Sequence, residues 1–286
     1  MTISSDALAR IRMSMHEYYS PKRVAFSRRF PKLAPLSIGL RQGARMVKNY
    51  LKLGSKLKQG TELPFVVEKH SSPLYRKLGT VELRLQENKI KNIKLAIKHL
   101  DGLIIDPGEI FSLWHHVGIT SKKHGYTSGL TLRSGVPSEG IGGGLCQLSN
   151  LLFWMFLHID VEILERHHHS VDVFPDSGRT IPFGSGATIF SNYLDLCVKN
   201  ISSHPLQISL RVSDSHVEGR ILSDAAAQKK YHIAERNHAF IKHGNDWFRY
   251  NELYRDEELV VVNFAPVKYE VTTKYLADLG YEWIEI

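Results

Sequence analysis

Apolar positions settle into a helical rhythm at residue 88: Ile90, Ile93, Ala96, Ile97 and Leu100 recur three to four residues apart, and Gly102 stands where a helix would stop. This predicts an amphipathic helix over 88–100. The apolar runs 103–105 and 110–114 flank Asp106-Pro107-Gly108-Glu109, a turn signal between two strands. A strand is predicted near 130–133, and the glycine-rich stretch 135–144 then opens into an apolar run, 145–158, read as a buried helix. Beyond it, 161–174 alternates as an extended strand. Pro175, Gly178, Pro182, Gly184 and Gly186 mark an irregular loop, and 187–198 and 206–212 read as antiparallel strands. The last fifty-odd residues predict a hairpin about 243–246, a strand over 259–264 and a short terminal helix or strand. Upstream, 1–70 reads as one or two helices broken near Pro21, Pro31 and Pro35, with a linker at 59–64.

These elements predict an α+β protein, a mostly antiparallel sheet packed on a buried, cysteine-bearing helix. The expected division is a basic helical extension over 1–65, a core over 66–225 and a carboxyl-terminal extension over 226–286 packed on the core. With 286 residues, 43% hydrophobic and 23% charged, the composition is that of an ordinary soluble globular chain. No apolar run approaches the roughly 18 residues that a membrane span needs. The first residues lack the apolar stretch of a secretory signal, so a cytoplasmic location is expected, or export by a route the sequence does not show.

Charge sharpens this picture. Of the formal +8, residues 1–70 carry fourteen Lys/Arg against four Asp/Glu, and the remainder is nearly neutral. Apolar residues such as Phe26, Leu36, Leu40, Val47 and Leu51 interleave with these cations, so residues 1–60 are a candidate for peripheral contact with an anionic membrane at its inner face, or simply for a solvated helical extension. No nucleic-acid motif accompanies the basic segment, and no nucleic-acid partner is expected. Two cysteines, Cys146 and Cys197, make no disulfide framework and are expected as thiols.

The chemistry centres on Gly142-Gly143-Gly144-Leu145-Cys146-Gln147-Leu148-Ser149-Asn150. A thiol in the first turn of a helix meets free N–H groups and the positive end of the dipole, which favour a thiolate and predict a lowered pKa. The same N–H groups could hold an oxyanion as a tetrahedral intermediate forms. The bland alternative is a small apolar cysteine in a buried helix. A phosphate cradle is disfavoured, because no Lys-Ser/Thr follows the glycines.

A cysteine nucleophile needs a base, and His167-His168-His169 lies one helix further on. Alternation along a strand would turn His167 and His169 to the core with Val161, Ile163 and Val171, and His168 outward. Asp172 then points away from His169. The orienting group is expected from the next strand: Asn192 on its apolar face, or Asp195 if a bulge changes the phase. A Cys–His–Asn or Cys–His–Asp set would carry acyl transfer. The rival reading, zinc on His-x-His with a nearby cysteine, lacks CxxC or HExxH spacing, so neither metal nor cofactor is expected.

The chain resembles the VanW family over roughly residues 60–255. The resemblance is carried by Pro107-Gly108-Glu109-Ile110-Phe111-Ser112, by 142–150, by Glu165-Arg166 with His169-Ser170, by Gly178-Arg179-Thr180, by Pro182-Phe183-Gly184, and by Asn192-Tyr193 with Asp195-Leu196. It implies a protein of bacterial cell-wall metabolism associated with glycopeptide resistance. Some exported members look like L,D-transpeptidases that act through the cysteine matching Cys146, with His169 matching the family histidine. The implied substrate is a peptidoglycan stem peptide or precursor, met by Gly142, Gly143, Gly144, Gln147, Arg166, Ser170 and Arg179. A non-catalytic peptide- or carboxylate-binding accessory module is the alternative. Where the family reads Gly-Arg-Asp-Ala-Thr, this chain reads Gly184-Ser185-Gly186-Ala187-Thr188, which leaves the third catalytic member open.

Overall fold

The computed structural model describes residues 3–21, 29–53, 56–75, 83–133, 136–173, 175–176, 180–190, 193–227 and 229–286. In chain order the elements are α1 (Ser5–Tyr19), α2 (Ala34–Leu53), β1 (Phe65–Pro73), α3 (Leu83–Leu100), β2 (Ile104–Ile105), β3 (Ile110–Ser112), α4 (Leu113–Val117), β4 (Ser128–Arg133), β5 (Val136–Ile141) and α5 (Cys146–Leu157). There follow β6 (Val161–Glu165), β7 (Cys197–Asn200), β8 (Leu206–Val212), β9 (His216–Ser223), β10 (Ile233–His243), β11 (Asp246–Arg255), β12 (Glu258–Pro266), α6 (Thr273–Asp278) and β13 (Trp283–Glu285). The architecture is α+β, and its strands pair antiparallel except where β13 runs parallel to β10.

The apolar run of α5 explains its place. Leu148, Leu151, Leu152, Phe153, Met155, Phe156 and Leu157 are all buried, so the helix is enclosed rather than laid on a surface. It packs on the sheet ordered β1-β9-β8-β2. A Cβ at Gly219 of β9 would stand 2.5 Å from Met155 Cε, so the missing side chain sets how closely helix and sheet approach. The small sheet β3-β7-β6 meets the helix where Phe111 packs on Phe156, and α3 lies against β4 of the hairpin β4-β5.

The carboxyl-terminal sheet is ordered β12-β11-β10-β13. The amino-terminal helix α1 lies on it, burying Ala7, Ile11 and Met15, four residues apart, against Ile241, Phe248 and Tyr250. Ser4 caps the helix by accepting from the Ala7 N–H, and Arg10 pairs with the buried Glu252 at 2.7 Å.

Several predicted elements take other forms. The helix starts at Leu83 rather than 88. Leu113 and Trp114 do not prolong a strand but open α4, because Ser112 caps it and the Asp195 carboxylate accepts the Trp114 N–H at 3.1 Å. The stretch before the glycines contains β5, paired with β4. The strand predicted over 161–174 ends at Glu165 after a bulge, and the described residues of 187–190 and 193–196 are irregular except for a short bridge between Phe190 and Leu194.

His116 in α4 ties the linker to this core. Its Nδ1–H donates to the Ser112 carbonyl at 2.8 Å and its Nε2 accepts from the Leu57 N–H at 3.1 Å, which fixes the neutral tautomer. Burial pushes its pKa down to about 4, from an ordinary 6.5. The folded state therefore resists a proton that the unfolded chain accepts. Stability from this residue is complete above pH 6.5 and is lost as pH falls toward 4, by about 3 kcal/mol in all. Urea melts at pH 7 and pH 4.5 should differ less in His116→Gln than in the parent chain. An equal pH dependence in both would contradict this role.

Candidate functional site

Cys146 is the first residue of α5, and the loop before it is built to bring it there. Asn92 of α3, fully buried, donates to the carbonyls of Thr127 (3.0 Å) and Gly143 (2.9 Å), while its oxygen accepts from the Thr127 N–H. Gly143 lies against the backbone of Gly129, and a Cβ there would stand 2.3 Å from the Gly129 carbonyl. The alanine has no room, and neither backbone can yield. Gly143→Ala is expected to destabilise the fold by about 1–3 kcal/mol, read as a lower urea midpoint. An unchanged midpoint would mean that the loop is not packed in this way.

Two of the glycine amides are already spent: Gly142 donates to the Thr127 carbonyl and Gly143 to the Gly140 carbonyl. They do not face a ligand as donors. Among the described residues, the N–H groups of Gly144, Leu145 and Cys146 reach no backbone or side-chain acceptor outside their own residue, which is the usual state of a helix's first turn. The donors available to an oxyanion thus begin at Gly144, two residues later than the sequence suggests.

The Cys146 thiol donates to the Ile189 carbonyl at 3.5 Å. The residue as a whole is half-buried, but burial of the sulfur pushes the thiol pKa up, and its backbone contacts offset this only in part. The lowered pKa expected from the helix dipole is overturned: the resting thiol is neutral. Desolvation of the sulfur outweighs a partial charge whose reach is a single turn.

The segment carrying Ile189 runs along α5. Ala187 N–H donates to the Asn150 side chain at 2.8 Å, Ser149 Oγ donates to the Ala187 carbonyl, and on the other side the Thr188 N–H donates to the His167 carbonyl at 2.7 Å. The histidine segment therefore reaches the helix across residues 187–189. Because β6 ends at Glu165, strand alternation does not decide the histidines. His167 is half-buried with Nε2 3.0 Å from Glu165 Oε1, His168 is exposed, and His169 is half-buried with no hydrogen bond among the described residues. Burial, helped by the nearby Arg166 charge, lowers the His169 pKa, so its imidazole is neutral and able to accept a proton. No hydrogen bond joins it to Cys146. Ser170 beside it is exposed.

Asp195 is committed elsewhere. It is buried, accepts from Ser112 Oγ at 2.6 Å and from the Trp114 N–H, and lies 3.4 Å from Arg45. Arg45 pairs with Glu165 at 2.6 Å, and Cys197 sits against the same two groups. This network fastens α2 to β6, β7 and α4 and makes no bond to His169. Asn192 and Arg179 lie outside the described residues. Gln147 donates to Ser72 Oγ and to the Pro73 carbonyl, so it ties α5 to β1. Cys146 and Cys197 stand on different networks, and among the described residues no three His, Cys, Asp or Glu side chains are grouped to hold a metal ion.

Arg166 is the unusual neighbour. Its guanidinium donates to the carbonyls of Gly184 and Gly186 and to Asn263 Oδ1, lies 5.2 Å over the Phe153 ring, and has no carboxylate partner among the described residues. Burial alone brings its pKa down to about 10. A half-buried cation with no carboxylate partner among the described residues thus lies close enough to His169 to lower its pKa.

The residues that hold this region are ones the sequence does not point to. Arg249 of β11, buried, reaches Asp176 at 2.6 Å and Asp172 at 3.4 Å and lies over the Phe183 ring. Asn251 donates to the Phe183 carbonyl, as does Asn263 at longer range. The carboxyl-terminal sheet thus grips both ends of the irregular loop that follows the histidines. Only alternation in 247–255 could have marked these as inward-facing polar residues.

Fold and site define an α+β protein with a cysteine on the first turn of an enclosed helix, behind a packed glycine loop, and with the segment that carries His169 and Arg166 tied to that helix through residues 187–189. A family model described as "VanW like protein" matches residues 88–222. The Enterococcus faecalis "Vancomycin B-type resistance protein VanW" is 36% identical over 193 residues, covering 68% of this chain and 70% of that protein. The Bacillus subtilis protein YoaR is 31% identical over 122 residues, covering 43% of this chain and 39% of YoaR. The chain belongs to the VanW family. No solved structure matches it.

Proposed function

We propose that this protein carries out cysteine-dependent acyl transfer on peptidoglycan stem peptides or their precursors, as an L,D-transpeptidase-like enzyme or a peptidase. The observation that carries the reading is the position of Cys146: its sulfur lies on the first turn of α5, where among the described residues three consecutive N–H groups reach no acceptor outside their own residue. In the reaction the thiol proton passes to the His169 imidazole as sulfur bonds to the substrate carbonyl carbon. The carbonyl oxygen gains charge facing the free N–H groups. The carbon–nitrogen bond then breaks, the leaving amine takes the proton from His169, and a thioester remains. A second amine, or water, attacks that thioester and restores the thiol. Arg166 suits a stem-peptide carboxylate, since it is a cation with no carboxylate partner among the described residues.

The neutral resting thiol and the imidazole not yet bonded to it mean that the pair is completed only when substrate enters and displaces the Ile189 contact. Such tightening on binding is common in enzymes seen without substrate. The same two observations favour a second reading, a non-catalytic module in which Arg166 and the free N–H groups bind a peptide carboxylate. Incubation with defined stem peptides, followed by chromatography of the products, separates the two. Release of an amine fragment that stops in Cys146→Ser supports the enzyme. Unchanged peptide, bound equally well by both chains, supports the module.

A further inference from the structure

An amphipathic helix on a globular body normally turns its apolar stripe inward. In α2 the arrangement is reversed. The side facing the body is polar: Arg45 pairs with Glu165, and Asn49 accepts from Arg45 and donates to Ser112 Oγ at 3.3 Å. The apolar stripe faces outward, with Leu36 64%, Leu40 66%, Val47 59% and Leu51 78% exposed. At 100° per residue these four fall within an arc of about 60°, nearly opposite Arg45, and span roughly 22 Å of helix. Tyr50 and Met46 widen the stripe on one side, and both are exposed. Arg41, Lys48 and Lys52 border it on the other, exposed and without an ion pair among the described residues.

We propose that α2 is an interfacial anchor that lies in the surface of an anionic lipid bilayer, its leucines in the acyl boundary and its lysines at the headgroups. This goes beyond the chemistry at Cys146 and does not depend on it. Charge identifies the occupant. From residue 18 to residue 61 the sequence has eleven Lys/Arg and no Asp or Glu. A second copy seated on the stripe would bring the same cations together with no acid on either helix to answer them, whereas anionic lipid supplies the missing charge. No described helix is long and apolar enough to cross a membrane, which fits a helix lying in the plane. Of the basic amino-terminal segment, α1 is already covered by the carboxyl-terminal sheet, so the contact falls to α2.

Sedimentation of the full chain with phosphatidylcholine vesicles, with and without phosphatidylglycerol, tests this. Binding is expected with the anionic vesicles, to weaken as salt rises, and to fall at least about tenfold in Leu40→Gln/Leu51→Gln. Lys48→Gln/Lys52→Gln, confined to exposed cations, should flatten the salt dependence. Circular dichroism melts show that each variant is folded. The proposal is overturned if the parent chain ignores anionic vesicles, or if the folded leucine variant binds them as tightly as the parent. It is overturned equally if light scattering finds a dimer that the leucine substitutions disperse, since a second copy would then own the stripe.

Discussion

Cys146→Ser is expected to lower the rate of stem-peptide turnover by a factor of 10³ or more while leaving peptide affinity within a few-fold. A serine hydroxyl keeps the size and hydrogen-bonding of the thiol closely enough to preserve the contact with Ile189, so the fold should be unaffected. What it removes is the ease of ionisation. Burial already pushes the thiol up, and a hydroxyl, whose pKa is far higher, could not be ionised by a histidine that burial has made a weaker base. A factor of 10³ corresponds to about 4 kcal/mol in the barrier, well beyond what a packing change at one atom supplies. Steady-state kinetics with a defined stem peptide, beside calorimetric titration of the same peptide, give both quantities. Turnover retained within tenfold would remove Cys146 from the chemistry.

Arg249→Met carries the second large effect. Arg249 is buried with Asp172 and Asp176, both themselves buried, and Tyr281 joins the same cluster. Removal of the cation leaves two carboxylates close together in an apolar setting against Phe183 and Phe240. Breaking a buried pair in this way costs about 3–5 kcal/mol, because both carboxylates lose the Arg249 cation but not their burial. The effect should be visible as a lower urea midpoint, and as proteolysis in the 172–184 loop before the rest of the chain. The triple change Arg249→Met/Asp172→Asn/Asp176→Asn should recover a large part of the loss. A single variant as stable as the parent would show that this cluster is not what fastens the loop.

The sequence makes α5 and its cysteine plain, because a dense glycine stretch followed by an uninterrupted apolar run allows few arrangements. The enclosed helix, the hairpin at 243–246 and β8 all follow from local pattern. Less legible are features whose cause lies far along the chain. Strand alternation places His167 and His169 on one face only if the strand continues, and the bulge after Ile163 ends it. Asp195 sits at the right distance in sequence to serve His169, yet Ser112 and Trp114, more than eighty residues earlier, claim its carboxylate. Gln147 in the cysteine motif looks like a ligand contact and instead fastens α5 to β1, a strand for which the local pattern gave no signal. The direction of the thiol pKa is hidden from the sequence for a similar reason. A helix start is visible in sequence, whereas the depth at which the sulfur is buried depends on residues 187–189 folding over it.

The orientation of α2 follows the same rule in reverse. Its apolar periodicity is visible in the sequence, but the inward direction of Arg45 depends on Glu165, 120 residues away. That ion pair, with Asp195 beside it and Asn49 on Ser112, turns the leucines outward.

Intact-protein mass spectrometry of the full chain, quenched in acid during incubation with a defined stem peptide, asks most directly whether sulfur bonds to substrate. A mass increase equal to the peptide less its leaving amine is expected, labile to hydroxylamine, located on the fragment containing Cys146 and missing from Cys146→Ser. Release of the amine product without such an adduct, or the same adduct on the serine variant, would contradict it.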